Sequence, residues 1–272
     1  MELVDTHCHI QSAGLSRGER STRELWAKAG DLTTETIVSQ AVANGVTRMV
    51  CVGCDLEDSR LAIEFAAQHD QSWASIGIHP HEAALHTDKL ETFAELVTQP
   101  KVVAIGECGL DYFYEHSPRE AQIAVLKFQL ELAVSAGLPL IFHVRQAFDD
   151  FWPIFDAVQA TSATKIRGVL HSFTDSQANL DRAVECGLFI GVNGIATFAK
   201  DPEQIAMYQA IPVDHLLLET DAPFLTPAPF RGTINEPKQI KTVAEFLSGL
   251  RNEPLEGLAA HTTNNARALF DI

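Results

Sequence analysis

The stretch LVDTHCHI, residues 3–10, sets two imidazoles and a carboxylate in an apolar run of the kind that forms a buried strand. Side chains two apart on a strand share a face, so His7 and His9 aim together while Cys8 aims the other way. Seven further runs of this type follow: VTRMVCVGC (46–54), SWASIGIHP (72–80), KVVAIGECG (101–109), PLIFHV (139–144), RGVLHSF (167–173), LFIGVNG (188–194) and HLLLETD (215–221). Segments with helical spacing separate them. In the clearest, SPREAQIAVLKFQLELAVSAG (117–137), Ser117 reads as the N-cap, Pro118 as the first helical residue and Gly137 as the stop.

Near-continuous apolar strands alternating with helices indicate a parallel sheet covered on both faces. Eight such units in 272 residues predict an α/β protein with a (β/α)8 TIM barrel, a fold of about 250 residues. No Pro-, Gly- or Ser-rich linker divides the chain, so residues 1–272 read as one domain. An open doubly wound sheet is the alternative, but no G-x-G-x-x-G follows the first strand.

Donor residues recur at the carboxyl ends of these runs: His7 and His9, then Glu107, His143, His171 and Asp221. That is the face on which barrel enzymes build their sites. Several unpaired polar groups buried together would each cost about 1–3 kcal/mol, a cost that divalent cations remove. Six ligands exceed what one open tetrahedral ion needs and suit two. Glu107 is the natural bridge, with His7, His9 and Asp221 on one ion and His143 and His171 on the other. Zinc, manganese, iron or nickel fit nitrogen and oxygen ligands, and magnesium fits if waters complete the shell. His79 and His81 in GIHPH are expected to line the substrate pocket, with exposure on a turn at Pro80 as the alternative, and are not read as ligands. Asp5 and Glu219 share faces with His7 and Asp221 and are expected to orient ligands.

A hydrophobic fraction of 46% with 21% charged residues matches a soluble globular protein, and no apolar run approaches the roughly 18 residues of a membrane span. The opening MELVDTHCHI lacks a secretory pattern, which predicts a cytoplasmic protein with no membrane and no obligate protein partner. Five scattered cysteines read as reduced thiols. The C-x-x-C of Cys51 and Cys54 reads as two buried thiols, with a redox or zinc role as the alternative. A net charge of −16 argues against a non-specific nucleic-acid coat, but not against a phosphodiester held by local cations. Residues 11–35 form a long polar connection over the mouth, a mobile loop with a short helix at Thr22–Ala29 and with Arg17, Arg20, Arg23 and Lys28. It reads either as a substrate-contacting flap or as a solvated loop.

The ordered elements DTHCH, GIHPH, GECGLDY, FHVRQAF, LHSF, ETDAPFLTP and RGTINEP, spread over essentially the whole chain, resemble the TatD family of metal-dependent hydrolases in the amidohydrolase-like superfamily. The resemblance implies a deoxyribonuclease, often a 3′-to-5′ exonuclease, with a two-metal site. It places the family ligands on His7, His9, Glu107, His143, His171 and Asp221. Thr233 and Ile234 stand where the family commonly carries basic residues, Phe230 replaces a frequent Tyr, Asp175 replaces a frequent Gly, and the loop after the first strand is longer than usual.

On this reading two ions activate a water against phosphorus, Glu107 and Asp221 are the catalytic carboxylates, and Asp221 accepts the proton. The expected substrate is DNA, in single-stranded form. Arg145 and Arg231 are candidates for phosphate contacts, with a structural ion-pair role as the alternative for each. A carboxylic ester, lactone or amide is the rival substrate class, since activated hydroxide also attacks carbonyl carbon. A metal-dependent binding protein with a closed site is the non-enzymatic rival.

Overall fold

The computed structural model describes residues 1–30 and 32–272. Eight parallel strands form one sheet in sequence order: β1 (Leu3–Cys8), β2 (Val46–Val52), β3 (Ser72–Ile76), β4 (Val102–Asp111), β5 (Leu140–Arg145), β6 (Gly168–Leu170), β7 (Phe189–Val192) and β8 (Leu216–Leu218). Helices cover its outside, as the alternating pattern predicts for a (β/α)8 barrel. Val4, Val50, Val52, Val103, Ile141, Val169 and Leu217 fill the interior, and Leu269 and Phe270 of the last helix (Leu255–Phe270) pack with them. Arg167, just before β6, donates to the Leu269 carbonyl, which places this plug at the amino end of the barrel.

Several strands end sooner than their apolar runs. His9 and His171 lie one residue past β1 and β6, and His79 and Asp221 three residues past β3 and β8. The cause is geometric: at the mouth the backbone leaves the regular ladder to enter the loops, and these side chains are carried on the strand exits.

The seam between β1 and β8 is built from the donor-bearing residues themselves. His9 N–H donates to Ala222 O at 2.7 Å and Asp221 N–H to His7 O at 2.8 Å. The buried Asp5 carboxylate accepts from Thr220 N–H at 2.9 Å, Thr220 Oγ1 at 2.6 Å and His7 N–H at 3.3 Å. Asp5 therefore does not orient the His7 ring, as its shared face suggested. It ties the two ends of the sheet together and sets the backbone beneath Asp221.

Two local expectations are corrected. The long helix spans Arg119–Ala136 with Pro118 as its N-cap, and Gly137 closes it in the left-handed region at φ 69°. Ser117 is instead a brace that accepts from Ala84 N–H and donates to His81 O. In the connection after β1 the expected helix starts two residues earlier than its pattern suggested. A helix at Arg20–Trp26 runs into a 3-10 turn to Ala29, and buried Trp26 donates from Nε1 to His9 O at 2.8 Å.

Removing the seam carboxylate leaves buried donors unpaired, at about 1–3 kcal/mol each. Asp5→Ala is therefore expected to lower unfolding stability by roughly 3 kcal/mol or more. Thermal unfolding checks this, and a melting temperature equal to that of the parent protein would contradict it.

Candidate metal centre at the barrel mouth

The carboxyl ends of the strands bring His7, His9, Glu107, His143, His171 and Asp221 together. His7 Nε2 lies 3.2 Å from His9 Nε2, 3.3 Å from Glu107 Oε2 and 3.5 Å from Asp221 Oδ1. His9 Nε2 lies 3.3 Å from Asp221 Oδ1. The His7 and His171 rings stack with centroids 3.6 Å apart. His9, Glu107, His143, His171 and Asp221 line a cavity of about 190 Å³, with His7 fully buried beneath them.

Hydrogen bonds decide which nitrogen of each ring is free. His9 Nδ1 faces Val52 O at 2.8 Å, so its proton sits there and Nε2 carries the lone pair. His171 Nδ1 lies 2.9 Å from Glu219 Oε1, and its Nε2 faces Glu107. His143 Nε2 lies 3.1 Å from Asp111 Oδ2, and its Nδ1 lies 2.8 Å from Glu107 Oε1. For His9 and His143 a hydrogen-bonded carbonyl or carboxylate holds the outer nitrogen, and for His171 the Glu219 carboxylate stands beside it, while the inner nitrogens point at the cluster, the arrangement that orients metal-ligating histidines. The buried His7 Nδ1 has no hydrogen-bond partner, and its Nε2 points at the same centre. Four imidazoles and two carboxylates thus present lone pairs to one another with too few protons among them, a donor set that a divalent cation satisfies.

The electrostatics agree. Burial disfavours a charged His9, yet Asp221 and Glu107 push it up to about 9. Burial likewise opposes a charged His171, but Glu219 and Glu107 raise it to about 10. Burial raises Glu107, but His79, His171 and His7 outweigh this and hold it well below the usual carboxylate range. Left to itself, the centre collects protons where a metal ion would sit.

The grouping differs from the expected one in its second half. His7, His9 and Asp221 form one set, as expected, and Glu107 is shared. His171, however, groups with His7 and Glu107, while His143 groups with His79 and Glu107, and the His143 and His171 rings stand 6.4 Å apart. The cause is the His7–His171 stack, which draws His171 toward β1. His79 is near enough to be a ligand, but its tautomer argues otherwise. His79 Nδ1 accepts from His81 N–H, and burial lowers its pKa well below the ordinary value. The neutral ring then carries its proton on Nε2, which faces Glu107 Oε1 at 3.6 Å as a donor.

Asp111 is the residue that sequence reasoning passed over. Its Oδ2 meets both His81 Nε2 at 3.0 Å and His143 Nε2 at 3.1 Å, while its Oδ1 accepts from Phe113 N–H and Tyr114 N–H at 2.9 Å each. Burial opposes its ionisation, but these partners hold it far below the usual carboxylate range. The signal was in GECGLDY, where Glu107, Gly109 and Asp111 alternate on one face of β4. A Cβ on Gly109 would sit 1.8 Å from His143 O, so only glycine lets β4 approach β5 closely enough for both acids to reach His143. Gly191 makes room in the same way for Glu219, whose carboxylate oxygen would lie 2.3 Å from a Cβ there.

The remaining expected residues divide. Arg145 lines the outer cavity, with its guanidinium over the rings of Phe113 and Tyr114. Arg231 lies over Phe198 at 5.1 Å and lines neither cavity at the mouth. From the loop after β1, Glu19, Ser21 and Thr22 face the inner cavity, whereas Arg17 and Arg20 pair with Glu64 and Glu24. All five cysteines are free, with Cys51 and Cys54 buried and Cys54 Sγ 3.8 Å from His9 Nδ1.

If Asp111 orients His143, Asp111→Asn, which keeps the acceptor for the Phe113 and Tyr114 amides, is expected to weaken divalent-metal affinity about 10- to 100-fold. Metal titration of the folded variant measures this, and an unchanged dissociation constant would contradict the role.

Residues 4–271 match the family described as TatD related DNase. An uncharacterized metal-dependent hydrolase, YabD, of Bacillus subtilis is 37% identical over 273 residues, covering 99% of both chains. The 3′-5′ ssDNA/RNA exonuclease TatD of Klebsiella pneumoniae is 35% identical over 245 residues, 88% of this chain and 92% of the relative. The crystal structure of YjjV, a TatD homolog from Escherichia coli K12, superposes with a TM-score of 0.86 at 29% identity, covering 99% of this chain and 98% of that one. With the match running nearly end to end, the chain belongs to the TatD family of metal-dependent hydrolases.

Proposed function

We propose that the protein is a 3′-to-5′ exonuclease that hydrolyses phosphodiester bonds of single-stranded DNA with two divalent cations, residues 1–272 acting as one catalytic barrel. The observation that carries the reading is the convergence of four imidazoles and two carboxylates whose inner atoms are all acceptors. Relatives named as 3′-5′ ssDNA/RNA exonucleases at about 35% identity support the substrate class.

His7, His9 and Asp221 would hold one ion, and His171 and His143 the other side of the centre, with Glu107 between them. When bound, such ions supply Lewis acidity and a water of lowered pKa. The chain's own groups do the rest. Asp221, the ligand carboxylate most open to the cavity, takes the proton of the attacking water. His79 Nε2–H offers a neutral donor to a phosphoryl oxygen as charge grows there. His81, its Nε2 held by Asp111, lines both the inner and the outer cavity at the mouth, where it would face the substrate. Zinc, manganese and magnesium are all compatible with these donors, and the protein is proposed to work in the cytoplasm.

A second reading, hydrolysis of a carboxylic ester, lactone or amide, is favoured by the net charge of −16 and by Arg231 lying over Phe198, away from the mouth. Parallel assays on single-stranded DNA and on a panel of lactones and amides discriminate: phosphodiester turnover without carbonyl turnover is expected, and the reverse would overturn the proposal.

His79→Gln is expected to keep bound metal while kcat falls about 100-fold, as for loss of one preorganised donor. Metal analysis beside single-turnover kinetics checks this, and loss of metal together with activity would make His79 a ligand instead.

The pH dependence has a definite sign. Because His9 and His171 are raised to about 9 and 10 without metal, the free protein holds their protons at neutral pH, and metal must expel them. Affinity should therefore rise with pH between about 6 and 9, with at least one proton released per site filled. Calorimetry at pH 7.5 in buffers of different ionisation heat measures the release. Heats independent of buffer would contradict it.

A further inference from the structure

The outer half of the mouth contains aromatic surface that the hydrolytic centre does not use. Phe113 and Tyr114 are 50% and 51% exposed, immediately after β4, where buried aromatics would be the rule. The rings of Tyr114 and His116 lie within 7° of parallel with centroids 5.7 Å apart. The Arg145 guanidinium sits 4.3 Å from the Phe113 ring centre and 4.8 Å from that of Tyr114, and no carboxylate among the described residues forms an ion pair with it. Across from them stand Ile195, 38% exposed, and Phe224. Tyr114, His116, Arg145, Ile195 and Phe224, but not Phe113, line a cavity of about 470 Å³ that His143, His171 and Asp221 also line, so it is continuous with the hydrolytic centre.

We propose that Tyr114, His116 and Arg145, with Ile195 and Phe224 opposite, form a stacking subsite for one nucleobase adjoining the scissile phosphate. The proposal rests on the phosphodiesterase reading above. Three observations carry it. Tyr114 and His116 present near-parallel rings, Tyr114 is half exposed, and the Arg145 cation is docked against Tyr114, the combination that binds single-stranded bases without reading their sequence. It shares its walls with the hydrolytic centre, so an occupant reaches the reacting phosphate. And it is held in register with that centre, because Asp111 accepts the Phe113 and Tyr114 amides with one oxygen and faces His143 with the other. Arg145 thereby becomes part of a base platform, where its sequence context suggested a phosphate contact. Every base has a π-face, so the subsite recognises the presence of a base and not its identity.

The test uses the metal-loaded protein and three single-stranded oligonucleotides: unmodified, abasic at the 3′-terminal nucleotide, and abasic at the penultimate one. For one of the two abasic positions kcat/KM is expected to fall roughly 5- to 150-fold, the range of one base–aromatic stack, chiefly through KM. Exchange among the four bases at that position should change it far less. Tyr114→Ala should bring the native-to-abasic ratio close to one, and Tyr114→Phe should retain it, since the ring and not the hydroxyl stacks. Equal cleavage of all three oligonucleotides by the parent protein, or a ratio that survives Tyr114→Ala, overturns the stacking subsite alone. A parent protein that cleaves none of them overturns the phosphodiesterase reading and the subsite with it.

Discussion

The site depends on one closure, the pairing of β1 with the chain just after β8. Asp5 and Thr220 are 215 positions apart, yet their hydrogen bonds, with His9 N–H to Ala222 O and Asp221 N–H to His7 O, join the first strand to the last. That seam sets His7 and His9 opposite Asp221. Because strand side chains alternate, a slip of one residue there would turn both imidazoles out of the barrel. Closure also buries the polar cluster among apolar layers, where fields are stronger and unpaired groups cost more than in water. A barrel held open at this edge would lack half the donor set.

The second organising element is the group of partners on the outer nitrogens. Val52 O and Asp111 hold His9 and His143 by hydrogen bonds to the atoms facing away from the centre, and the Glu219 carboxylate stands 2.9 Å from the outer nitrogen of His171. The tautomers then follow from protein geometry, and the inner nitrogens offer lone pairs. His79 is the instructive exception: it stands as close as a ligand, but the backbone of His81 occupies its Nδ1, which makes its Nε2 a donor. Distance alone would group it with the donors that face Glu107, whereas its hydrogen bonding makes Nε2 a donor.

Asp111 joins this inner chemistry to the outer mouth. One oxygen serves two imidazoles and the other fixes the amides of the loop that displays Phe113 and Tyr114. The aromatic loop and the cluster of histidines are thus tied to one buried carboxylate. The long connection after β1 adds the opposite wall, anchored by Trp26 on His9 O.

Periodicity, chain length and donors at strand ends were legible in the linear order, since apolar alternation and donor chemistry are local properties of residues. They suffice for the barrel, for the six converging donors and for the family resemblance. Residue 117 shows the limit: a serine before a proline reads as a helix cap, and only the packed neighbours Ala84 and His81 draw its hydroxyl elsewhere. The grouping of the donor side chains, the tautomer of His79, the work of Asp5 at the seam and the double duty of Asp111 were decided by tertiary structure. Each depends on which atoms from distant strands face one another across about 3 Å, a relation that folding creates and that no spacing along the chain encodes.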